Sequence, residues 1–148
     1  MKKVLIAYVS LTGRTKKMAE YIAEGVRFSG ADAVTKKTSE IETAEDLAGY
    51  DGYIFGSPTY HRDMAGPMKN FLFLAAQADL KGKLGGAFGS YTHSGDAPGM
   101  IFDTMEHVYG MDPFSLGSFN LKEELVGDQE GMRGCHDYGK IFGEKLGD

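Results

Sequence analysis

Five short apolar runs alternate with helical patterns along the chain, and this alternation narrows the possible folds more than any other feature. The first run, residues 4–9, is continuous and uncharged, as expected of a strand buried on both faces of a parallel sheet. Four further runs, some of them weaker or rich in glycine, lie at residues 33–35, 52–56, 83–90 and 113–119. Strands that alternate with helices predict an α/β fold with a doubly wound, five-stranded parallel sheet and helices on both faces.

Apolar residues at helical spacing mark the connecting segments. Met18, Ile22 and Val26 predict a helix after the first strand, and Pro67 stands at a suitable first position for a helix after the third. Further helical stretches are expected at residues 43–47, 100–109 and 130–146. Because no repeat, linker or break in composition divides the chain, we expect residues 1–148 to form a single domain.

Charge and cysteine content limit the partners and the compartment. A net charge of −5 argues against nucleic acid as a partner, since phosphate backbones bind basic surfaces. Cys135 is the one cysteine, which rules out an intrachain disulfide and favours a reducing compartment. Its spacing from Gly139 and Phe142 places it on the apolar face of the last helix, so we interpret it as a core residue. With no signal-peptide pattern and no apolar segment of membrane-spanning length, a cytoplasmic protein without membrane association is expected.

The turn between the first strand and the first helix combines three hydroxyl groups with a glycine. Its residues are Ser10, Leu11, Thr12, Gly13, Arg14 and Thr15. The first amides of a helix lack internal acceptors and carry the positive end of its dipole, so hydroxyl donors and an approachable glycine beside them favour a bound phosphate. The alternative is that Thr12 or Thr15 simply caps the helix, although a cap needs only one hydroxyl.

Two more polar and aromatic segments follow the third and fourth strands, at the sheet edge where α/β proteins bind ligands. Facing each other, the two segments would hold a flat heteroaromatic ring. Because the neighbouring turn would bind one phosphate, the expected ligand is a ring with one phosphate, that is, a mononucleotide. Simpler explanations stay open for single residues, which could be turn formers, ordinary half-buried tyrosines or surface histidines, and no metal-ligand spacing is present. The candidate residues are Ser57, Pro58, Thr59, Tyr60, His61 and Met64 in the first segment, and Ser90, Tyr91, Thr92, His93 and Gly95 in the second.

In this order, the three segments resemble the flavodoxin-like FMN-binding family. Residues 10–15 match its phosphate motif, which is a hydroxyl residue, any residue, Thr-Gly, any residue and Thr. Residues 56–60, with Met64 and Pro67-Met68-Lys69, are similar to the flavin loop of flavodiiron flavodoxin domains and of flavodoxin-like NAD(P)H:quinone oxidoreductases. Residues 88–91 and 94–95 resemble the second flavin loop of the flavodiiron domain. The resemblance covers essentially residues 3–146 and implies strand order 2-1-3-4-5 with non-covalent FMN.

The resemblance also implies a role for each segment. Residues 10–15 would hold the FMN phosphate, and Ser57, Thr59 and Tyr60 would contact the ribityl chain and the ring edge. Residues 90–95 would cover the other side of the ring, with Tyr91 or His93 stacked on it. The chain departs from the family pattern in having no tryptophan in the second loop and no glycine between Ser57 and Ala65.

The leading functional hypothesis is an electron carrier that passes electrons through FMN between a reductase and an acceptor protein. No catalytic acid, base or nucleophile is evident, and electron transfer through a bound flavin needs none. We expect a monomer or weak oligomer. The alternative is an FMN-dependent NAD(P)H:quinone oxidoreductase in which Arg62 or His61 contacts a nicotinamide phosphate or a quinone oxygen. A dinucleotide fold is disfavoured because no G-x-G-x-x-G follows the first strand.

Overall fold

The computed structural model describes residues 1–147 and is built around a parallel β-sheet. Its strands run in the order β2-β1-β3-β6-β7, all parallel to their neighbours. Numbered by the main strands alone, this order is 2-1-3-4-5, which confirms the predicted fold. The two shortest strands, β4 and β5, form a separate antiparallel hairpin. The strands are β1 (Lys3–Tyr8), β2 (Asp32–Lys37), β3 (Gly52–Gly56), β4 (Thr59–Tyr60), β5 (Asp63–Met64), β6 (Leu84–Tyr91) and β7 (Asp112–Lys122).

Within residues 1–147, four α-helices cover the sheet and three 3₁₀ turns connect the elements. The predicted helical stretch at residues 43–47 forms the second of these turns, and α3 begins four residues before the predicted start, at Asp96. Pro98 lies in the first turn of α3, where proline is tolerated because its missing N–H would have no helical acceptor. The helices are α1 (Arg14–Phe28), α2 (Gly66–Ala75), α3 (Asp96–His107) and α4 (Gln129–Gly147), and the turns are Thr38–Glu40, Ala44–Leu47 and Glu123–Leu125.

Alternate side chains of the central strands feed two hydrophobic cores, one on each face of the sheet. On one face, Leu5 and Ala7 pack in a cluster that includes residues of α2 and α3. On the other face, Val4 and Ile6 pack in a cluster with residues of α1 and α4. This burial of β1 on both faces explains the continuous apolar run in the sequence. No helix within residues 1–147 has the length and apolar character to cross a bilayer.

The helices α1 and α4 approach each other closely through glycine. A Cβ atom added at Gly139 would lie 2.1 Å from the Ile22 carbonyl oxygen, and one added at Gly25 would lie 2.2 Å from the His136 carbonyl oxygen. Cys135 is fully buried in the same interface, and burial raises the pKa of its thiol to about 12. The interpretation of Cys135 as a core residue is therefore confirmed.

The outer strand β7 is interrupted, and a tyrosine from α4 fills the gap. Gly85 pairs with Pro113 whereas Ala87 pairs with Ser118, so β7 carries extra residues between the two pairs. The buried Tyr138 hydroxyl donates to the Gly117 carbonyl oxygen at 2.7 Å and accepts from the Ala87 amide at 3.2 Å. Burial raises the pKa of Tyr138 above its ordinary value. The irregularity also breaks the flat edge that a long outer strand would present.

Candidate functional site

Three polar segments meet at the carboxyl ends of β1, β3 and β6, beside the point where the strand order reverses. We name them the hydroxyl turn (residues 10–15), the hairpin segment (residues 57–65) and the His93 loop (residues 90–95). Adjacent parallel strands bring their ends to one edge, so the segments are neighbours in space although they are distant in sequence. This arrangement confirms that the edge chosen from the sequence is the one where the three segments converge.

The hydroxyl turn folds around the side-chain oxygen of Ser10. That oxygen accepts hydrogen bonds from the amides of Gly13 at 3.1 Å and Lys16 at 3.2 Å. Gly13 is the N-cap of α1, has a φ of 89° and makes no side-chain cap hydrogen bond, whereas the Ser10 side chain accepts from the Lys16 amide in the first turn. The alternative explanation, that Thr12 or Thr15 is the N-cap, is therefore wrong. Thr12 is exposed, and the first amides of α1 have no acceptor within the helix.

Two other residues of the turn, one apolar and one basic, have exposed side chains. Leu11 is 65% exposed and makes the turn's outer surface apolar. Arg14 is half exposed, and its guanidinium lies 3.7 Å from the Glu123 carboxylate. The turn thus combines backbone amides, hydroxyls and a nearby cation, which are the donors that a phosphate dianion prefers.

The hairpin segment contains a turn that the sequence did not predict. Residues Thr59–Tyr60 pair antiparallel with Asp63–Met64, and both connecting residues, His61 and Arg62, have positive φ values of 50° and 63°. Positive φ at both central positions is the type I′ arrangement, which usually contains Asn, Asp or Gly. Because the chain uses His and Arg there, the usual sequence signal for a tight hairpin is missing.

Polar contacts hold the hairpin at its base and at its tip. At the base, the Ser57 hydroxyl donates to the Pro58 carbonyl oxygen at 2.9 Å and accepts from the Ala65 amide at 3.0 Å. At the tip, Arg62 Nε donates to an Asp96 carboxylate oxygen at 3.1 Å.

An ion pair braces the second strand of the hairpin. Asp63 pairs with Lys69 of α2, and this contact is the main cause that lowers the pKa of the Asp63 carboxyl. The turn is therefore braced against α2 and α3.

The His93 loop is fastened at both ends. At its start, the Ser90 hydroxyl lies 3.2 Å from the Thr15 hydroxyl, and both side chains are at most 2% exposed. At its end, the Thr59 hydroxyl accepts from the Ala97 amide at 3.0 Å, and Asn120 donates to the Gly95 carbonyl oxygen at 2.6 Å. The hydroxyl turn therefore contacts the start of this loop, and the hairpin segment contacts the first turn of α3, which follows directly after it.

A cavity of about 270 Å³ lies between the hairpin segment and the His93 loop. Tyr60 from the hairpin segment and His93 from the His93 loop both line it and carry flat rings, and Thr59, Thr92 and Ser94 provide hydroxyls. Such a slot suits a planar ring with polar atoms at its rim. Its lining consists of Thr59, Tyr60, His61, Arg62, Thr92, His93 and Ser94.

The structure distributes the candidate residues unevenly around this cavity. Of the two stacking candidates, His93 lines it and Tyr91, half-buried at the end of β6, does not. Met64 is largely buried in the core and lines a separate groove with Leu72 and Tyr109. Arg62 and Ser94 also line the cavity. The sequence suggested Arg62 only as a contact of the reductase alternative, and Ser94 only as part of residues 90–95. Within residues 1–147, no three His, Cys, Asp or Glu side chains are grouped to hold a metal ion.

Known proteins share both the sequence pattern and the fold. The family model described as "Flavodoxin domain" matches residues 5–110. The chain is 28% identical to a protein named flavodoxin from Clostridium saccharobutylicum, over 97% of this chain and 94% of that protein. It is 31% identical to a protein named NAD(P)H dehydrogenase (quinone) from Cupriavidus metallidurans, over 86% of this chain and 79% of that protein.

Solved structures give the same result. A flavodoxin from the domain Archaea has a TM-score of 0.88 and 28% identity, over 99% of both chains. A flavodiiron core from Synechocystis has a TM-score of 0.85 and 26% identity, over 99% of this chain and 36% of that one. The resemblances expected from the sequence, to flavodoxins, flavodiiron proteins and quinone oxidoreductases, are confirmed. Because the family model matches well over half of its residues, this chain belongs to the flavodoxin family.

Proposed function

We propose that the protein binds one FMN non-covalently and carries electrons between a reductase and an acceptor protein. The flavodoxin family implies a flavin cofactor, and the observation that best supports FMN is the position of the slot. A cavity suited to a planar ring lies at the carboxyl edge of the sheet, and Thr92 of its lining also lines a groove with Arg14 of the turn that is rich in phosphate donors. A ring with a single phosphate matches both parts of this site.

The chain's residues fit the parts of FMN separately. The hydroxyl turn would hold the phosphate through the first amides of α1, the exposed Thr12 hydroxyl and Arg14. An alanine Cβ at Gly13 would have no heavy atom within 4 Å, so the backbone there is open to a ligand. The hairpin segment and His93 would contact the two sides of the ring. Arg62 and His61 would lie beside it, where the positive charge of Arg62 favours the reduced, more negative ring.

FMN supplies the redox chemistry when it is bound, and the protein supplies binding and orientation. The braced hairpin keeps Tyr60 in place through the Ser57 and Thr59 hydrogen bonds. The fastened His93 loop fixes the opposite side of the slot. The geometry of a site held in this way would change little when a bound flavin gains an electron. A small change in geometry favours rapid electron transfer. The partners would be redox proteins that approach the edge of the ring.

Electron exchange with a reductase tests the carrier function directly. FMN-loaded protein is mixed with NADPH and a catalytic amount of a flavodoxin reductase, and the visible absorbance of the flavin is followed. We expect the flavin to be reduced only when the reductase is present, and to be reoxidised by an acceptor protein. Rapid bleaching by NADPH alone would contradict the carrier function.

A second candidate function is an FMN-dependent NAD(P)H:quinone oxidoreductase. It is supported by the relative from Cupriavidus metallidurans named as such an enzyme, and by Arg62 and His61 on the cavity wall. Steady-state oxidation of NADH or NADPH with a quinone, without added reductase, would favour it. In that case Arg62→Gln should raise the KM for NADPH more than that for NADH, because a cation there would meet the extra phosphate. The control is Lys81→Gln, which changes a charge outside these segments.

The setting of the protein is also part of the proposal. We propose that residues 1–148 act as one domain, as a monomer or weak oligomer. The archaeal flavodoxin, which matches over 99% of both chains, supports the single domain. A reducing, cytoplasmic compartment suits the single cysteine, because it can form no intrachain disulfide.

A further inference from the structure

Two buried hydroxyls join the hydroxyl turn to the His93 loop. Thr15 lies in the first turn of α1 and Ser90 near the end of β6, and their side-chain oxygens are 3.2 Å apart. Their exposed fractions are 2% and 1%, whereas Thr12 in the same turn is exposed. The contact links positions 75 residues apart.

Each hydroxyl depends on the other for its hydrogen bond. A buried polar group without a partner is costly, and water has little access to this pair. The Ser90 backbone pairs with Leu121 of β7, so the ladder fixes the main chain of Ser90 but gives its side chain no polar partner. Thr15 therefore holds the side chain of Ser90, the residue at which the His93 loop begins.

We propose that Thr15 is a positioning residue that fixes the His93 loop through Ser90, so that it supports binding of the ring and not only of the phosphate. This inference rests on the proposed FMN site and deepens it. The backbone amide of Thr15 is one of the first of α1 and has no acceptor within the helix, so it can contact a phosphate while the buried Thr15 hydroxyl contacts Ser90. The hydroxyl turn and the ring slot then form one connected unit.

Riboflavin, which has the ring and ribityl chain of FMN but no phosphate, separates the two roles of Thr15. We compare the affinities of Thr15→Val, Ser90→Ala and the double variant for FMN and for riboflavin. Each single variant should weaken riboflavin binding by up to about tenfold, the value of one hydrogen bond, because a loosened His93 loop must be ordered when the ring binds. The double variant should be no weaker than the weaker single variant, because both substitutions break one contact.

Three control variants sharpen this result. Thr12→Val, in the same turn but exposed, should weaken FMN binding and leave riboflavin binding unchanged. Thr15→Ser keeps the hydroxyl and should restore the riboflavin affinity that Thr15→Val loses. Ser94→Ala removes a hydroxyl inside the loop without touching the pair, and it should not show coupling to Thr15→Val. A riboflavin affinity that Thr15→Val leaves unchanged, or additive losses in the double variant, would overturn the proposal.

Measurements without flavin keep this inference separate from the proposed function. In urea unfolding of the flavin-free protein, Thr15→Val and Ser90→Ala should also be non-additive, and either should speed amide hydrogen exchange in residues 91–95. If the wild-type chain bound no flavin while this coupling was present, the proposed function would fail and the pairing would stand. Additive unfolding effects with unchanged exchange would overturn the pairing itself.

Discussion

At the scale of single residues, the hydroxyl turn depends on the backbone conformation of Gly13. Its φ of 89° lies in the left-handed region, which other residues enter only at a cost. This conformation lets the Ser10 oxygen accept hydrogen bonds from the Gly13 and Lys16 amides, while the Arg14 and Thr15 amides at the start of α1 have no acceptor within the helix. The geometry of the turn is thus set by one glycine and one serine, and the other hydroxyls are left for other contacts.

Gly13→Ala should destabilise the protein without any steric clash. An added Cβ would meet no heavy atom within 4 Å, so the expected loss of about 1 kcal/mol comes from the left-handed backbone alone. Urea unfolding measures this loss. Gly66→Ala is the matched control, because Gly66 also has free space around it but no positive φ, and it should change stability by less than about 0.5 kcal/mol. Equal stability of the two variants would contradict the explanation.

Cys135 should be chemically inert in the folded protein and should make it less stable in alkali. Burial raises the pKa of its thiol from 9.0 to about 12. The unfolded chain therefore releases this proton at a lower pH than the folded protein does. The contribution of Cys135 to the free energy of unfolding is complete below about pH 9 and is lost as the pH rises towards about 12. A thiol reagent at pH 8 should react only after unfolding.

The alkaline loss can be measured by comparison with Cys135→Ala. One proton contributes a slope of about 1.4 kcal/mol per pH unit, so the free energy of unfolding of the variant should fall less steeply above pH 9. Burial also raises the pKa of Tyr109 to about 12, and this group should still titrate in both the wild-type protein and the variant. Identical slopes would show that Cys135 does not contribute.

Residue types alone indicated the site but not the direction of each side chain. The hydroxyl-rich turn could be predicted because its composition is unusual. That Thr15 turns inward to Ser90 whereas Thr12 faces solvent depends on how α1 packs against β6, which no local pattern reports. For the same reason the sequence did not show that Met64 faces the core and a separate groove and does not line the cavity.

At the scale of elements, the interface between α1 and α4 requires small residues. Gly139 and Gly25 each lie against a carbonyl oxygen of the opposite helix. Glycine is unfavourable inside a helix, so its presence here reflects the close approach of the helix backbones.

Gly139→Ala should therefore be strongly destabilising although alanine favours helices. A Cβ at this position would lie 2.1 Å from the Ile22 carbonyl oxygen, so the helices must separate, at an expected cost of about 1–3 kcal/mol. Urea unfolding measures this cost. Gly147→Ala, at the end of the same helix with no atom within 4 Å, should be neutral or slightly stabilising. A stable Gly139→Ala variant would show that the interface is not closely packed.

The hairpin turn makes a second prediction at this scale. His61 has a φ of 50°, which a β-branched residue resists strongly. His61→Val should destabilise by about 1–2 kcal/mol, whereas His61→Gly should be tolerated, and thermal unfolding distinguishes the two. If both variants unfold at the same temperature, the turn does not have the left-handed conformation.

Strands and helices were predictable because their patterns extend over many residues, and the hairpin was not. Its strands are two residues long, and no glycine between Ser57 and Ala65 marks the position of the turn. Ion pairs to Asp96 and Lys69 hold it in place, and these come from elements beyond the turn. The early start of α3 was missed for a similar reason, since a sequence with two glycines and a proline around it is typical of a loop.

At the scale of the whole molecule, the strand order brings distant segments to one functional edge. The alternation of strands and helices was enough to predict a doubly wound parallel sheet, because right-handed crossovers leave few arrangements, and the family resemblance implied the strand order. The contacts that connect the three segments could not be predicted, since they join positions far apart in sequence. Binding of a ligand that spans all three should consequently stabilise the entire fold.

FMN should therefore raise the unfolding temperature of the flavin-free protein. At a free FMN concentration of 100 times the Kd, binding to the folded state alone adds about 2.7 kcal/mol. For a chain of this length that corresponds to a rise of roughly 5–10 °C in Tm. Thermal unfolding with increasing FMN measures the shift, and AMP, which has a phosphate but no flavin ring, is the control and should produce a much smaller one.

The most direct test of the FMN site is a fluorescence titration of the flavin-free protein with FMN. If the hydroxyl turn, the hairpin segment and the His93 loop form one site, the change in flavin fluorescence should end sharply at one FMN per chain. Thr12→Val should weaken this binding without changing its stoichiometry. Flavin fluorescence that stays the same as that of free FMN at every protein concentration would contradict the central claim.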